Sequence, residues 1–259
     1  MINTSKTVAE YAIEHPSSKR VFEKLKIDYC CGGKISLEEA CNKNDVSVDE
    51  LAQLLQAEEA RDVSADFEPD HAGMSLASLA DHIVRKHHVF TRDEDARVAA
   101  LLDKVCSVHG HHNPKLLEIQ MIFGTMRLEL ENHMLKEERM LFTYIALMES
   151  SLAFGLPVLP APFGTTRNPV RVMMSEHDTA AEQLRAIREL SDDFQPPEWA
   201  CATYRTLLEA LEGLEKDLFR HIHLENNILF PKAIEMEEKG VVSFSRSEQE
   251  AVCGQQFAA

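Results

Sequence analysis

The chain is expected to be all-α: an up-down-up-down four-helix bundle with a small helical module in front of it. Three observations carry that expectation. Glycine and proline are few, 10 each among 259 residues, and they cluster. Alternating β-branched runs are nearly absent, whereas apolar residues recur in steps of three and four along four long segments. Third, two segments 88 residues apart repeat each other, His133-Met-Leu-Lys-Glu137-Glu-Arg-Met-Leu-Phe142 and His221-Ile-His-Leu-Glu225-Asn-Asn-Ile-Leu-Phe230. On a helix an i,i+4 pair lies on one face, so each copy offers a nitrogen and a carboxylate to one point.

Residues 1–57 form the small module. Pro16-Ser17-Ser18 separates two short helices, and Ser36-Leu-Glu-Glu39 and Ser47-Val-Asp-Glu50 have the capping-box form that starts two more. Residues 58–73, with Asp62, Asp66, Glu68, Pro69, Asp70 and Gly73, read as a polar linker. The bundle occupies 74–240 and a C-terminal tail follows at 241–259. Its first helix runs from about Ser75 to Val105. The second starts at Asn113-Pro114, a cap with proline at the first helical position, and runs to about Ser150. The third starts in the same way at Asn168-Pro169 and runs to about Leu190. The fourth runs from near Pro197 past Phe230, where Pro231 should kink or end it by clashing with the carbonyl one turn back. The apolar loop Gly155–Gly164 is expected to pack over one end of the bundle, with a lid as the alternative.

The net charge is −16, from 43 acidic and 27 basic residues, and no Lys/Arg cluster interrupts it. That excludes the electrostatic footprint of a nucleic-acid binder. The N-terminus lacks the apolar core of a signal peptide and no run reaches membrane-spanning length, so a cytoplasmic protein without membrane contact is expected. Six cysteines are too sparse for a disulfide scaffold in this length and should be thiols.

Each bundle seam is interrupted by histidine at a similar depth: His87, His133, His177 and His221. The spacings agree, 46 residues from His87 to His133 and 44 from His177 to His221. Alone, a histidine on an apolar seam is usually a satisfied core residue. The set resists that reading, because Glu137 and Glu225 lie on the same seams with no Lys or Arg at their level. A buried unpaired carboxylate costs several kcal/mol or takes up a proton. Two divalent cations would supply the missing charge. Imidazole and carboxylate together suit iron or manganese, whereas a structural zinc more often recruits cysteine. If both glutamates bridge, each ion receives two nitrogens and two carboxylate oxygens, and an oxo or hydroxo bridge adds one ligand. A position then stays open for O2, NO or peroxide. His82, His88 and His223 fall outside the register, and His109, His111 and His112 read as a solvated turn. Glu176 is a candidate outer partner of the site.

Asp28-Tyr29-Cys30-Cys31-Gly32-Gly33 is the second motif. A disulfide between neighbours is strained, because adjacent Cα atoms lie closer than disulfide geometry prefers. The glycine pair should supply positive-φ freedom and end a helix there. Either Cys30 and Cys31 fill a turn or they serve redox chemistry or iron handoff.

Asp-Tyr-Cys-Cys-Gly-Gly, His-Met-Leu-Lys-Glu-Glu, Ser175-Glu-His-Asp178 and His-x-x-x-Glu-Asn-Asn-x-Leu-Phe-Pro together resemble the repair-of-iron-centres family. These are di-iron, hemerythrin-like proteins of bacteria under nitrosative and oxidative stress. The resemblance covers almost the whole chain. It implies six iron ligands at His87, His133, Glu137, His177, His221 and Glu225, two iron ions per chain, and a homodimer. The implied function is repair of damaged iron–sulfur proteins by donating iron or removing nitric oxide. Oxygen-carrying hemerythrins repeat histidine at i,i+4 in the third helix, where this chain has Ala181, which argues against a pure O2 carrier. A di-iron enzyme reducing NO or peroxide is the alternative function, and a gas or redox sensor a third.

Overall fold

The computed structural model describes residues 2–60 and 70–240. The expected tail at 241–259, Cys253 within it, and most of the expected linker lie outside the described residues. Four short helices form the module: α1 Val8–Glu14, α2 Ser18–Leu25, α3 Leu37–Lys43 and α4 Val48–Glu59. Ser36 and Ser47 cap α3 and α4, accepting from the amides of Glu39 and Glu50 at 3.1 and 3.0 Å. A full capping box that the sequence reading did not single out starts α1, where Thr7 and Glu10 satisfy each other's backbone amides. The module has its own core around Phe22, Tyr29, Leu37 and Leu51.

Every long bundle segment but one is interrupted by a π turn. The first comprises α5 Leu76–His82, a π turn at Ile83–His88 and α6 Val89–His109. The second comprises α7 Lys115–Lys136, a π turn at Glu137–Leu141 and α8 Phe142–Ala153. The third, α9 Arg167–Leu190, is uninterrupted and starts just ahead of the expected Asn168-Pro169. The fourth comprises α10 Ala202–Leu224, a π turn at Glu225–Leu229 and α11 Phe230–Gly240. Pro231 therefore does not end the helix. It falls just after a turn whose extra residue already displaces the i→i−4 ladder, so its missing N–H and ring meet no regular bond there.

Two apolar clusters divide the bundle along its length. One joins Val98, Leu102, Phe123, Leu184, Leu211 and Leu218; the other joins Leu79, Ile83, Phe142, Met173, Leu229 and Phe230. Buried histidines and glutamates lie between them. The loop after α8 packs on the bundle end as expected: Val158 is buried and Tyr144 donates its hydroxyl to the Leu159 carbonyl. The module docks on α10. Arg220 donates to both carboxylate oxygens of Glu23 at 2.9 and 3.0 Å, and Glu23 also accepts from the Tyr29 hydroxyl.

Candidate metal centre

Five of the six sequence-predicted donors meet between the two apolar clusters: His133, Glu137, His177, His221 and Glu225. The sixth place is taken by His88, not His87. The π turn at Ile83–His88 is the cause. Its extra residue rotates the following side chains by roughly one helical position, so a strict 3.6-residue count lands one residue early. His87 points instead at Asp217, its Nδ1 lying 3.0 Å from both carboxylate oxygens, and its ring stacks on His221 at 5.7 Å. No sequence signal separates adjacent His87 and His88 without knowing where the π turn falls.

The donors form two groups sharing both glutamates: His88 and His221 in one, His133 and His177 in the other. Their Nε2 atoms pair at 3.1 Å and 3.0 Å respectively. Glu225 spans the groups, Oε1 at 2.9 Å from His221 and Oε2 at 3.1 Å from His177. Glu137 Oε2 lies 3.3 Å from His133 and 3.5 Å from His88. Both carboxylates are wholly buried, and neither oxygen of Glu137 makes a hydrogen bond among the described residues. Such atoms are costly unless something else neutralises them, and cations between the imidazole pairs would do so.

Three of the four imidazoles are fixed from behind. His88 Nδ1 meets Glu138 at 2.8 Å, and Arg92 donates to the same Glu138 oxygen. His133 Nδ1 meets Glu176 at 2.8 Å, and Lys136 holds the other Glu176 oxygen. His177 Nδ1 meets Asn226 Oδ1 at 2.9 Å. An Nδ1–H donated outward leaves the Nε2 lone pair facing inward, which is the tautomer a metal requires. The Nδ1 of His221 has no hydrogen-bond partner among the described residues. Glu176 thus serves His133 on the neighbouring helix rather than its sequence neighbour His177. Phe142 and Phe230, the repeated aromatics, stack on His88 and His177.

Without metal, the excess negative charge draws protons. Burial alone would lower both His88 and His133. Glu137 and Glu225 outweigh it and push them up to about 9 and about 10. Burial likewise opposes ionisation of Glu225, yet His221, His177 and His88 hold its carboxyl well below the usual range. Loading a cation would therefore displace protons from His88 and His133.

The cysteine turn is tied to this centre by the π turn at Glu225–Leu229. Three consecutive residues fan out from it: Glu225 into the centre, Asn226 to His177, and Asn227 to the carbonyls of Tyr29 and Cys30 at 3.1 and 3.3 Å. His223 Nδ1 also lies 3.3 Å from the Tyr29 carbonyl. Cys30 and Cys31 are free thiols with their sulfurs 3.8 Å apart, Cys30 buried and Cys31 half-buried. The hydrogen bond to Cys31 and burial push the Cys30 thiol well up. The expectation about the glycine pair is corrected. Neither glycine has a positive φ, and α2 has already ended, with Lys26 in the left-handed region. A Cβ at Gly33 would lie 2.7 Å from the Tyr29 carbonyl oxygen, so close approach demands glycine there. Cys30 forms part of the wall of a cavity of about 300 Å³ between module and bundle, with Phe22, Tyr29, Ala181, Arg188 and Phe219. Of the other histidines, His111 and His112 are exposed, whereas His109 meets Cys201 Sγ at 3.3 Å. No helix among the described residues is long and apolar enough to cross a membrane.

Helical bundle, shared carboxylates and paired imidazoles define a hemerythrin-type cation-binding protein, and the family model described as the Hemerythrin HHE cation binding domain matches residues 79–233. The model described as a Domain of Unknown function (DUF542) matches residues 4–59. The protein named Iron-sulfur cluster repair protein YtfE from Escherichia coli O81 (strain ED1a) is 33% identical over 227 residues, 88% of this chain and 96% of the relative. The protein of the same name from Escherichia fergusonii has the same identity and coverage. The chain belongs to this family of iron–sulfur cluster repair proteins with a hemerythrin-like domain.

Proposed function

We propose that this protein carries two iron ions and supplies iron to iron–sulfur clusters damaged by nitrosative or oxidative stress. The observation that carries the reading is a buried pair of two-histidine sites sharing two carboxylates, wired through Asn226 and Asn227 to a cysteine turn. The donor chemistry supports the choice of metal: imidazole with carboxylate suits iron or manganese, whereas structural zinc more often recruits cysteine.

Bound ferrous iron supplies both a transferable cation and an electron donor. The chain's own residues would offer each ion two imidazoles and the shared carboxylates, exclude bulk water by the two apolar clusters, and orient three of the four Nε2 atoms inward through the outward hydrogen bonds of His88, His133 and His177. Among the described residues His221 has no partner at Nδ1, so an ion held by His88 and His221 would be the more readily released. Cys30 and Cys31 stand where a soft acceptor of that iron, or a reductant, would act. Incubating chain loaded with labelled iron with a cluster-depleted iron–sulfur protein should transfer label and restore the cluster; retention of all label rejects donation. Replacing Cys31 with Ser should slow transfer without lowering iron content.

Two imidazoles and two shared carboxylates would not fill the shell of a six-coordinate ion, which would leave room for a small molecule. That favours, as a second reading, reduction of NO at the same site, and the reduced protein mixed with NO should then release N2O. Unconsumed NO would reject it.

A further inference from the structure

A third histidine pair repeats the geometry of the two pairs at the centre. His71, in the short turn His71–Gly73 that enters the bundle, and His82, at the end of α5, bring their Nε2 atoms to 3.1 Å. Their ring centroids are 4.7 Å apart at 51°. The corresponding values are 4.7 Å and 59° for His133 with His177, and 4.8 Å and 55° for His88 with His221. One ion fits all three pairs by the same ~90° angle at ~2.1 Å.

The pair also lies on a path. His82 meets the edge of His87 at 5.9 Å between centroids, and His87 stacks on His221 at 5.7 Å. His82 is partly exposed, whereas His87 and His221 are buried. The four rings therefore run from the surface to His221, whose Nδ1 has no partner among the described residues, and Asp217 lies beside the path against His87. A carboxylate flanking a string of imidazoles favours a divalent cation there.

We propose that His71 and His82 form a third metal site, which takes a divalent first-row cation, ferrous iron in function, in transit to or from the His88–His221 position. This rests on the reading of the centre as a metal store. Two imidazoles among the described residues would hold the ion more weakly than the four-donor positions. Passage is ligand exchange: the ion keeps its charge, and each imidazole that leaves is replaced by water or by the next ring.

The test is anaerobic titration of metal-free full-length protein with Co(II), followed by visible absorption and equilibrium dialysis. Wild-type chain should take up two tight equivalents and a third, weaker one. His82→Ala and His71→Gln should each lose the third and keep the first two, with unchanged helical circular dichroism. The release of iron to a ferrous chelator should be at least several-fold slower in both. His133→Ala combined with His177→Ala should keep the third. Wild-type uptake that stops at two, or a third equivalent that survives in both single variants, overturns the proposal and leaves the centre standing; the pair is then a plain hydrogen bond. Failure of the centre itself reads differently, as absence of the two tight equivalents.

Discussion

Replacing His88 with Ala, and separately His87 with Ala, tests the assignment that depends most on the π turn. His88 offers Nε2 to the centre 3.1 Å from His221, whereas His87 stacks on His221 and turns its Nδ1 to Asp217. His88→Ala removes one of two nitrogens at one position and leaves Glu137 and Glu225 facing a hole. Affinity there should fall by more than the ~10- to 100-fold that loss of an outer partner costs. His87→Ala should stay within that range. The metal-free chains should differ too. His88 rises from 6.5 to about 9, so at pH 7 its charged form contributes roughly 2–3 kcal/mol of stability. A raised histidine contributes fully below about pH 6.5 and loses that contribution as pH climbs through about 9. The destabilisation by His88→Ala should therefore shrink in alkali. Burial lowers His87, so the stability it contributes is lost on acidification instead. Metal analysis with Mössbauer spectroscopy, and urea unfolding of metal-free protein from pH 6 to 10, read both effects. Two irons retained by His88→Ala and lost by His87→Ala would refute the assignment.

Glu176→Gln should weaken metal retention by ~10- to 100-fold in chelator competition, because His133 loses the carboxylate that fixes its tautomer and orientation. Asp95 is buried with one oxygen lacking a hydrogen bond among the described residues, and burial pushes its carboxyl up to about 7. Holding the proton in the fold costs stability as pH rises from about 4 to 7. Asp95→Asn should accordingly stabilise by roughly 2–4 kcal/mol at pH 8 and by little at pH 4, measured as the urea midpoint. Among the described cysteines, Cys201 is exposed and Cys31 half-buried, whereas Cys30, Cys41 and Cys106 are buried. A disulfide reagent at pH 8 should modify Cys201 and Cys31 first, as mass spectrometry of the labelled peptides would show. Cys30 reacting before Cys31 would contradict the burial.

Much of this was legible in the residues. Steps of three and four fixed helices and seams, and the two His-x-x-x-Glu segments marked shared carboxylates, because charge on an apolar seam needs a counter-charge whatever the fold. Ser36 and Ser47 announced helix starts through local chemistry. Gly33 was singled out, but for the wrong cause: its tight contact is with the Tyr29 carbonyl and Ala9, partners that only folding brings close. Glu176 belonged to His133 across a helix interface, which no spacing within one helix could reveal.

What the chain alone determined was the list of donor types and their depth along each helix, since periodicity is a property of a single helix. What tertiary packing decided was which of two adjacent histidines turns inward, which outward nitrogen finds a partner, and that Asn227 reaches the cysteine turn. A π turn differs from an α turn by one displaced hydrogen bond, a difference small enough for side-chain packing to select. That displacement carries His88 into the centre and leaves His87 beside it.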